Sequence, residues 1–185
     1  MQQINNKDKR WAKQFGDFAE CLTMYVLGQL KNMKVALIDH VGADLIATKL
    51  EDTSMRYAIS VKGRNIPESE SKSFNFSQDN ISKLEQTAEE FGMAPAVSFV
   101  FVDEMEGAKK IRMFVATLSD LKSLADDADT GFINWSSDGF SLRYTEGKNT
   151  HRLTEIKNCN KIAYFEMQFN FLTDVDVFKK GASHD

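Results

Sequence analysis

The stretch VGADLIATKLEDTSMRYAISVK, residues 41–62, decides how this chain is read. Val41 to Leu50 reads as one strand and Tyr57 to Lys62 as the next, with Tyr57, Ile59 and Val61 in clean alternation. Glu51-Asp52-Thr53-Ser54 between them is polar and turn-like. A hairpin turning at Asp52–Thr53 pairs residues whose numbers sum to about 105. An even sum near that value sets Asp44 opposite Ser60 or Lys62. Strand side chains alternate faces, so Asp44, Ser60 and Lys62 then share one face. Leu45, Ala47, Ile59 and Val61 share the other and pack against a helix. A strand Asp between Ala43 and Leu45 is unfavourable on propensity and costly if buried without partners. That combination points to chemistry at Asp44.

Upstream, Val35 to Ile38 reads as a short strand. Before it, Asn5 to Lys31 reads as an amphipathic helix with Trp11, Phe15, Phe18, Leu22, Val26 and Leu30 in one apolar stripe. Glu20 lies beside that stripe. Downstream, Gly63 to Asn80 reads as a long polar connection with Pro67 and many Ser. Ile81 to Phe91 reads as a helix, with Asp79 as its N-cap and Gly92 as its stop. Ala96 to Val102 reads as a strand covered on both faces, and Ile111 to Ala116 as another. Ser119 caps an expected helix from Asp120 to Ala128.

The remaining chain reads as a hairpin around Ser137-Asp138-Gly139, a short helix near Leu153 to Asn158, and a strand from Ile162 to Leu172. Trp135 and the Phe-rich run 165–171 read as core. The tail Lys179 to Asp185 reads as loose. Helices and strands alternate, which implies an α/β layer fold with a mixed central sheet. The two strands around residues 52–53 pair antiparallel. The strand after the 81–91 helix pairs parallel through a crossover.

Composition narrows the function classes. The 185 residues carry 23 Lys+Arg and 27 Asp+Glu, a net charge of −4. Residues 1–74 carry 11 basic and 9 acidic side chains; residues 75–185 carry 12 and 18. Nucleic-acid coating by bulk charge is therefore excluded, and any phosphate affinity has to be local. No apolar run approaches the ~20 residues of a membrane span. The opening MQQINNKDKRW lacks a signal-peptide core, and Cys21 and Cys159 form no disulfide framework or zinc spacing. A cytoplasmic location is the expectation, with no membrane partner.

Glu20 in Gly16-Asp-Phe-Ala-Glu20, Asp44 in Gly42-Ala-Asp44-Leu-Ile and Lys62 in Ile59-Ser-Val-Lys62-Gly-Arg64 come in that order. Together they resemble the PD-(D/E)xK nuclease superfamily, which includes restriction endonucleases and archaeal-type Holliday junction resolvases. The resemblance covers roughly residues 10–117 and implies a restriction endonuclease-like αβββαβ core, flanked by helices. A nuclease-like domain over 1–129 and a C-terminal α+β extension over 130–185, packed on the same domain, are the expected organisation.

The resemblance implies a divalent-metal-dependent DNA endonuclease using Mg²⁺ or Mn²⁺. Asp44 is then the central metal ligand, Lys62 the catalytic lysine, and Glu20 an auxiliary ligand or water-positioning group. Ser60 stands where the family usually has Asp or Glu, and Asp79 is the best local candidate for the missing acid. Glu68 and Glu70 are weaker ones. Arg64, Lys72 and Lys83 are candidate phosphate contacts. Cutting both strands of a duplex favours a homodimer.

Two other readings compete. Ser60 and the overall acidity suit a catalytically inactive member of the fold that binds nucleic acid or a protein. Ser60-x-Lys62 also suits a Ser–Lys hydrolase, but no glycine-rich elbow accompanies it. His40, His151 and His184 have no ligand-like spacing, and His40 reads as structural or exposed.

Overall fold

A computed structural model of the chain describes residues 9–66, 73–105, 108–127, 129–147 and 150–170. Helix α1 (Lys9–Gly28) is followed by strands β1 (Met33–His40), β2 (Ala43–Lys49), β3 (Arg56–Ile66) and β4 (Ser73–Ser77). Helix α2 (Gln78–Glu90), strands β5 (Ala94–Met105) and β6 (Ala108–Thr117), and helix α3 (Leu118–Ala125) come next. The chain continues with β7 (Ile133–Ser136), β8 (Gly139–Arg143), β9 (Glu146–Gly147), β10 (Thr150–His151), α4 (Arg152–Asn158) and β11 (Ala163–Asn170).

The central sheet has six strands in the order β1-β2-β3-β5-β6-β11. β3 and β5 run parallel, joined through α2, and the other neighbours are antiparallel. This is a mixed α/β sheet, with α1, β1 to β3, α2 and β5 following the order αβββαβ. β4, β8 and β7 form a second, three-stranded sheet. β9 and β10 make a small ribbon.

Two apolar clusters sandwich the central sheet. On one face, α1 lays Ala19 and Leu27 over Leu45, Ala47, Ile59, Val61 and Val100. On the other, Ile81, Leu84 and Ala88 of α2 join Ala58, Ile66, Phe99 and Phe101. Phe132, Phe140, Leu142, Tyr144 and Ile156 belong to that same cluster. At roughly 25 cal/mol per Å² of apolar surface removed from water, this burial is what holds the layers together.

Several local expectations need correction. Of the predicted α1 stripe, Phe15, Leu22 and Val26 pack against the sheet, but the most buried positions lie beside it. Ala19 and Thr23 are fully buried, while Phe18 is 41% exposed and Leu30 40%. The reason is close approach: a Cβ on Gly63 would come within 2.8 Å of the Phe15 ring and 2.9 Å of the Ala19 methyl. Small and flat side chains therefore face the sheet, and Thr23 finds the Ser98 hydroxyl at 2.9 Å. The start of this helix at Asn5 falls outside the described residues, and its end is Gly28 rather than Lys31.

The 63–80 connection is more ordered than its polar composition suggests. β3 runs on to Ile66, and β4 pairs with β8 through Phe76↔Phe140. Residues 67–72 lie outside the described set. α2 begins at Gln78, and its N-cap is Ser77, whose hydroxyl accepts the Asn80 N–H; Asp79 sits in the first turn instead. The same shift occurs at α3, where Thr117 rather than Ser119 is the cap and the helix ends at Ala125. In both cases the hydroxyl at the strand's last residue accepts the N–H of the third helical residue. Phe169 is 52% exposed and so is not core. Trp135 is half-buried and stacks on Phe140.

Candidate active site

The β2–β3 ladder pairs Leu45 with Ile59, Ile46 with Ala58 and Ala47 with Tyr57, a sum of 104. One residue beyond, the Asp44 side chain replaces the main chain as partner. Its Oδ2 accepts the Val61 backbone N–H at 2.5 Å and the Ser60 hydroxyl at 3.4 Å. Lys62 Nζ lies 3.9 Å from the same oxygen. The structure therefore brings Asp44, Ser60 and Lys62 together on one face. Oδ1 of Asp44 makes no hydrogen bond among the described residues. Ser60 is buried and donates to Asp44, which a second carboxylate there would repel instead.

Glu20 approaches from α1. Burial holds its carboxyl above the usual glutamate range, and the charges of Asp44 and Asp17 push it further in that direction. Lys62 and Lys13 act the opposite way, with less effect. An open cleft of about 540 Å³ joins Glu20 and Asp44; Lys62 and Ser60 stand behind its lining. Lys13, Asp17 and Glu20 line one wall, Leu37, Ile38 and His40 of β1 another, and Ala43 and Asp44 of β2 the floor. The β1–β2 turn beside the cleft is fixed by Gly42, whose φ is +94° and whose Cβ would sit 2.4 Å from the Lys83 carbonyl oxygen. Only glycine allows the β1–β2 turn to lie directly on α2.

The other candidates lie elsewhere. Asp79 pairs with Lys83 at 2.7 Å on the exposed side of α2, and neither lines the cleft. Arg64 donates to the Ser73 carbonyl at 3.0 Å, and its charge reaches Tyr144. Glu68, Glu70 and Lys72 lie outside the described residues. Sequence reasoning missed Lys13 and Asp17, and it read His40 as structural or exposed. The first two were available in principle: with Glu20 they recur at three- and four-residue steps on one helical face. His40 had no local signal, because its place depends on how the turn meets α2.

Among the described residues, no group of three His, Cys, Asp or Glu side chains is arranged to close around one metal ion. The donor set is two carboxylates, Asp44 and Glu20. That fits a hard cation such as Mg²⁺, which keeps several waters and takes one or two carboxylates plus substrate phosphate oxygens. It does not fit an all-protein cage.

No protein-family model matches the chain, and no curated protein matches it. Among solved structures, the Holliday junction resolvase Hjc of Archaeoglobus fulgidus aligns with a TM-score of 0.45 and 15% identity. The alignment covers 69% of this chain and 83% of that one. Among the described residues, no helix is long and apolar enough to cross a membrane.

Proposed function

We propose that the chain is a divalent-metal-dependent endonuclease that hydrolyses DNA phosphodiester bonds in this cleft. One observation carries the reading: burial and then the charge of Asp44 hold the Glu20 carboxyl above its usual range, with Lys62 beside Asp44. Two carboxylates held in mutual repulsion at an open cleft are a cost unless a cation or a proton relieves it. Asp44 and Glu20 would hold Mg²⁺ or Mn²⁺. The ion would polarise the phosphate and acidify a water. Lys62 orients the attacking water and offsets charge that develops on the phosphate oxygens. Ser60 and the Val61 N–H fix Asp44 in place, leaving Oδ1 for the cation. Lys13 at the rim would meet a backbone phosphate, and Arg64, Lys72 and Lys83 would contact DNA. Cutting a duplex on both strands favours a homodimer of this chain.

The test is Mg²⁺- or Mn²⁺-dependent cleavage of linear, nicked and branched DNA by the wild type, Asp44→Asn and Lys62→Ala. Loss of cleavage in both variants with retained fold is expected. Activity indifferent to both substitutions sinks the mechanism. A second reading, a non-catalytic member of the fold that binds nucleic acid or a protein, is favoured by the buried Ser60 in place of a third acid. It expects DNA retention with no cleavage at any Mn²⁺ concentration.

A further inference from the structure

Asp44 meets three donors through one oxygen. Its Oδ2 accepts the Val61 backbone N–H at 2.5 Å and the Ser60 hydroxyl at 3.4 Å, and Lys62 Nζ stands 3.9 Å away. A carboxylate has roughly four lone-pair sites, about two on each oxygen. The N–H and the hydroxyl therefore fill Oδ2, and the ammonium faces its remaining charge. A hard cation on this oxygen would have to come within about 2.1 Å of it. That space already holds an N–H, a hydroxyl and an ammonium, all turning their positive ends toward Oδ2. Oδ1, in contrast, makes no hydrogen bond among the described residues. The neighbouring acids are committed elsewhere. Asp17 lines the cleft, but Lys13 Nζ holds both of its oxygens, at 3.2 and 3.5 Å. Asp79 is held by Lys83 and does not line the cleft. Ser60 decides the balance. It is 2% exposed, so its hydroxyl is confined beside Asp44, where it takes up a lone pair and adds no charge.

We propose that Ser60 is a positioning residue that holds this cleft to a single divalent cation. It clamps Oδ2 of Asp44, so that Oδ1 and the Glu20 carboxylate are the donors left for an ion. This rests on the metal-dependent reading above and departs from a two-cation arrangement, in which a second ion would sit ~3.5–4 Å from the first. On the Oδ2 side the Lys62 ammonium supplies the positive charge that a second ion would bring. An acid at position 60 would reverse both effects. It would release a lone pair of Oδ2 and add the charge that a second cation needs.

The test counts Mn²⁺ bound per full chain without DNA, by calorimetry and by the spin-resonance signal of the metal. The ions counted are those lost in Asp44→Asn. One ion per wild-type chain is expected, with no coupling between ions in the spectrum. Two coupled ions per chain overturn the inference and leave the nuclease reading intact. A wild type that binds none sinks the metal-dependent reading and this inference with it. Ser60→Asp should take a second ion, and a folded Ser60→Asp chain that still takes one overturns the role of Ser60. Ser60→Ala adds no charge to a buried position and decides the matter if Ser60→Asp does not fold. It should bind its one ion about 10-fold more weakly, as loss of a hydrogen bond to a metal ligand does, and Ser60→Thr should restore the affinity. An unchanged affinity in Ser60→Ala overturns the clamp.

Discussion

Asp44 Oδ2 accepts the Val61 backbone N–H at 2.5 Å, just where the β2–β3 ladder ends. The side chain thus does a structural task through one oxygen, and its second oxygen makes no hydrogen bond among the described residues. Substitution separates that task from the side chain's charge. Asp44→Ala strips a buried N–H of its acceptor and should cost about 1–3 kcal/mol. Asp44→Asn keeps an acceptor oxygen and should cost less, while still removing the charge a cation needs. Urea unfolding of the two variants checks this. An Asp44→Ala protein as stable as the wild type would show that the bond contributes nothing.

Glu20 gives a pH and metal prediction. Its carboxyl is raised by burial, then by Asp44 and Asp17. A raised acid contributes its stability below the unfolded value and loses it as pH rises through the folded one. Without metal, Glu20→Gln should therefore match the wild type in the acid range and be at least as stable near pH 7. Millimolar Mn²⁺ should raise the wild-type Tm and leave that of Glu20→Gln nearly unmoved. A wild-type Tm indifferent to Mn²⁺ argues that no cation sits between the carboxylates.

The pair Asp103–Arg112 predicts a large loss of stability. Asp103 is 1% exposed, its Oδ2 faces Arg112 Nη1, and its Oδ1 accepts the Tyr144 hydroxyl at 2.7 Å. Arg112 also donates to Glu166 on β11 at 3.1 Å. Removing one partner of a buried pair typically costs about 3–5 kcal/mol. Asp103→Ala should fall in that range, and Tyr144→Phe should cost about 1–3 kcal/mol. Chemical denaturation of both variants measures it, and a shift below 1 kcal/mol for Asp103→Ala would contradict it.

Residues 130–185 should be inseparable from what precedes them. Phe132, Phe140, Leu142 and Tyr144 share a cluster with Phe99 and Phe101, and β11 is a strand of the central sheet. A chain ending at residue 129 should show no dispersed NMR spectrum. The full chain should unfold in one transition by fluorescence and by circular dichroism. A folded 1–129 fragment would establish the shorter unit as autonomous.

Much of the central sheet was legible in the sequence, because alternation reports directly which face of a strand is buried. The hairpin register predicted from Asp52–Thr53 placed Asp44 beside Ser60 and Lys62, and the structure has that register. What was illegible had non-local causes. β4 reads as loop because Ser73 and Asn75 are polar, and only Phe76 against Phe140 on a distant strand makes it a strand. The buried side of α1 was read through Phe15, Leu22 and Val26 but not its centre at Ala19 and Thr23, because periodicity cannot see how closely Gly63 lets Phe15 and Ala19 approach. Asp79 was assigned the cap because hydroxyl and carboxylate caps look alike until the strand before them is placed.

Gly63 follows Lys62 directly, so the position after the lysine carries a demand of its own. It has no side chain to bond with and holds no charge. Its missing carbon sets how far the helix bearing Glu20 stands from the strand bearing Lys62. A lineage could exchange one acid for another and keep this arrangement. It could not exchange Gly63 without changing Phe15 and Ala19 in step. The most telling mark of a cousin to this chain would therefore be a covarying trio with no chemistry in it.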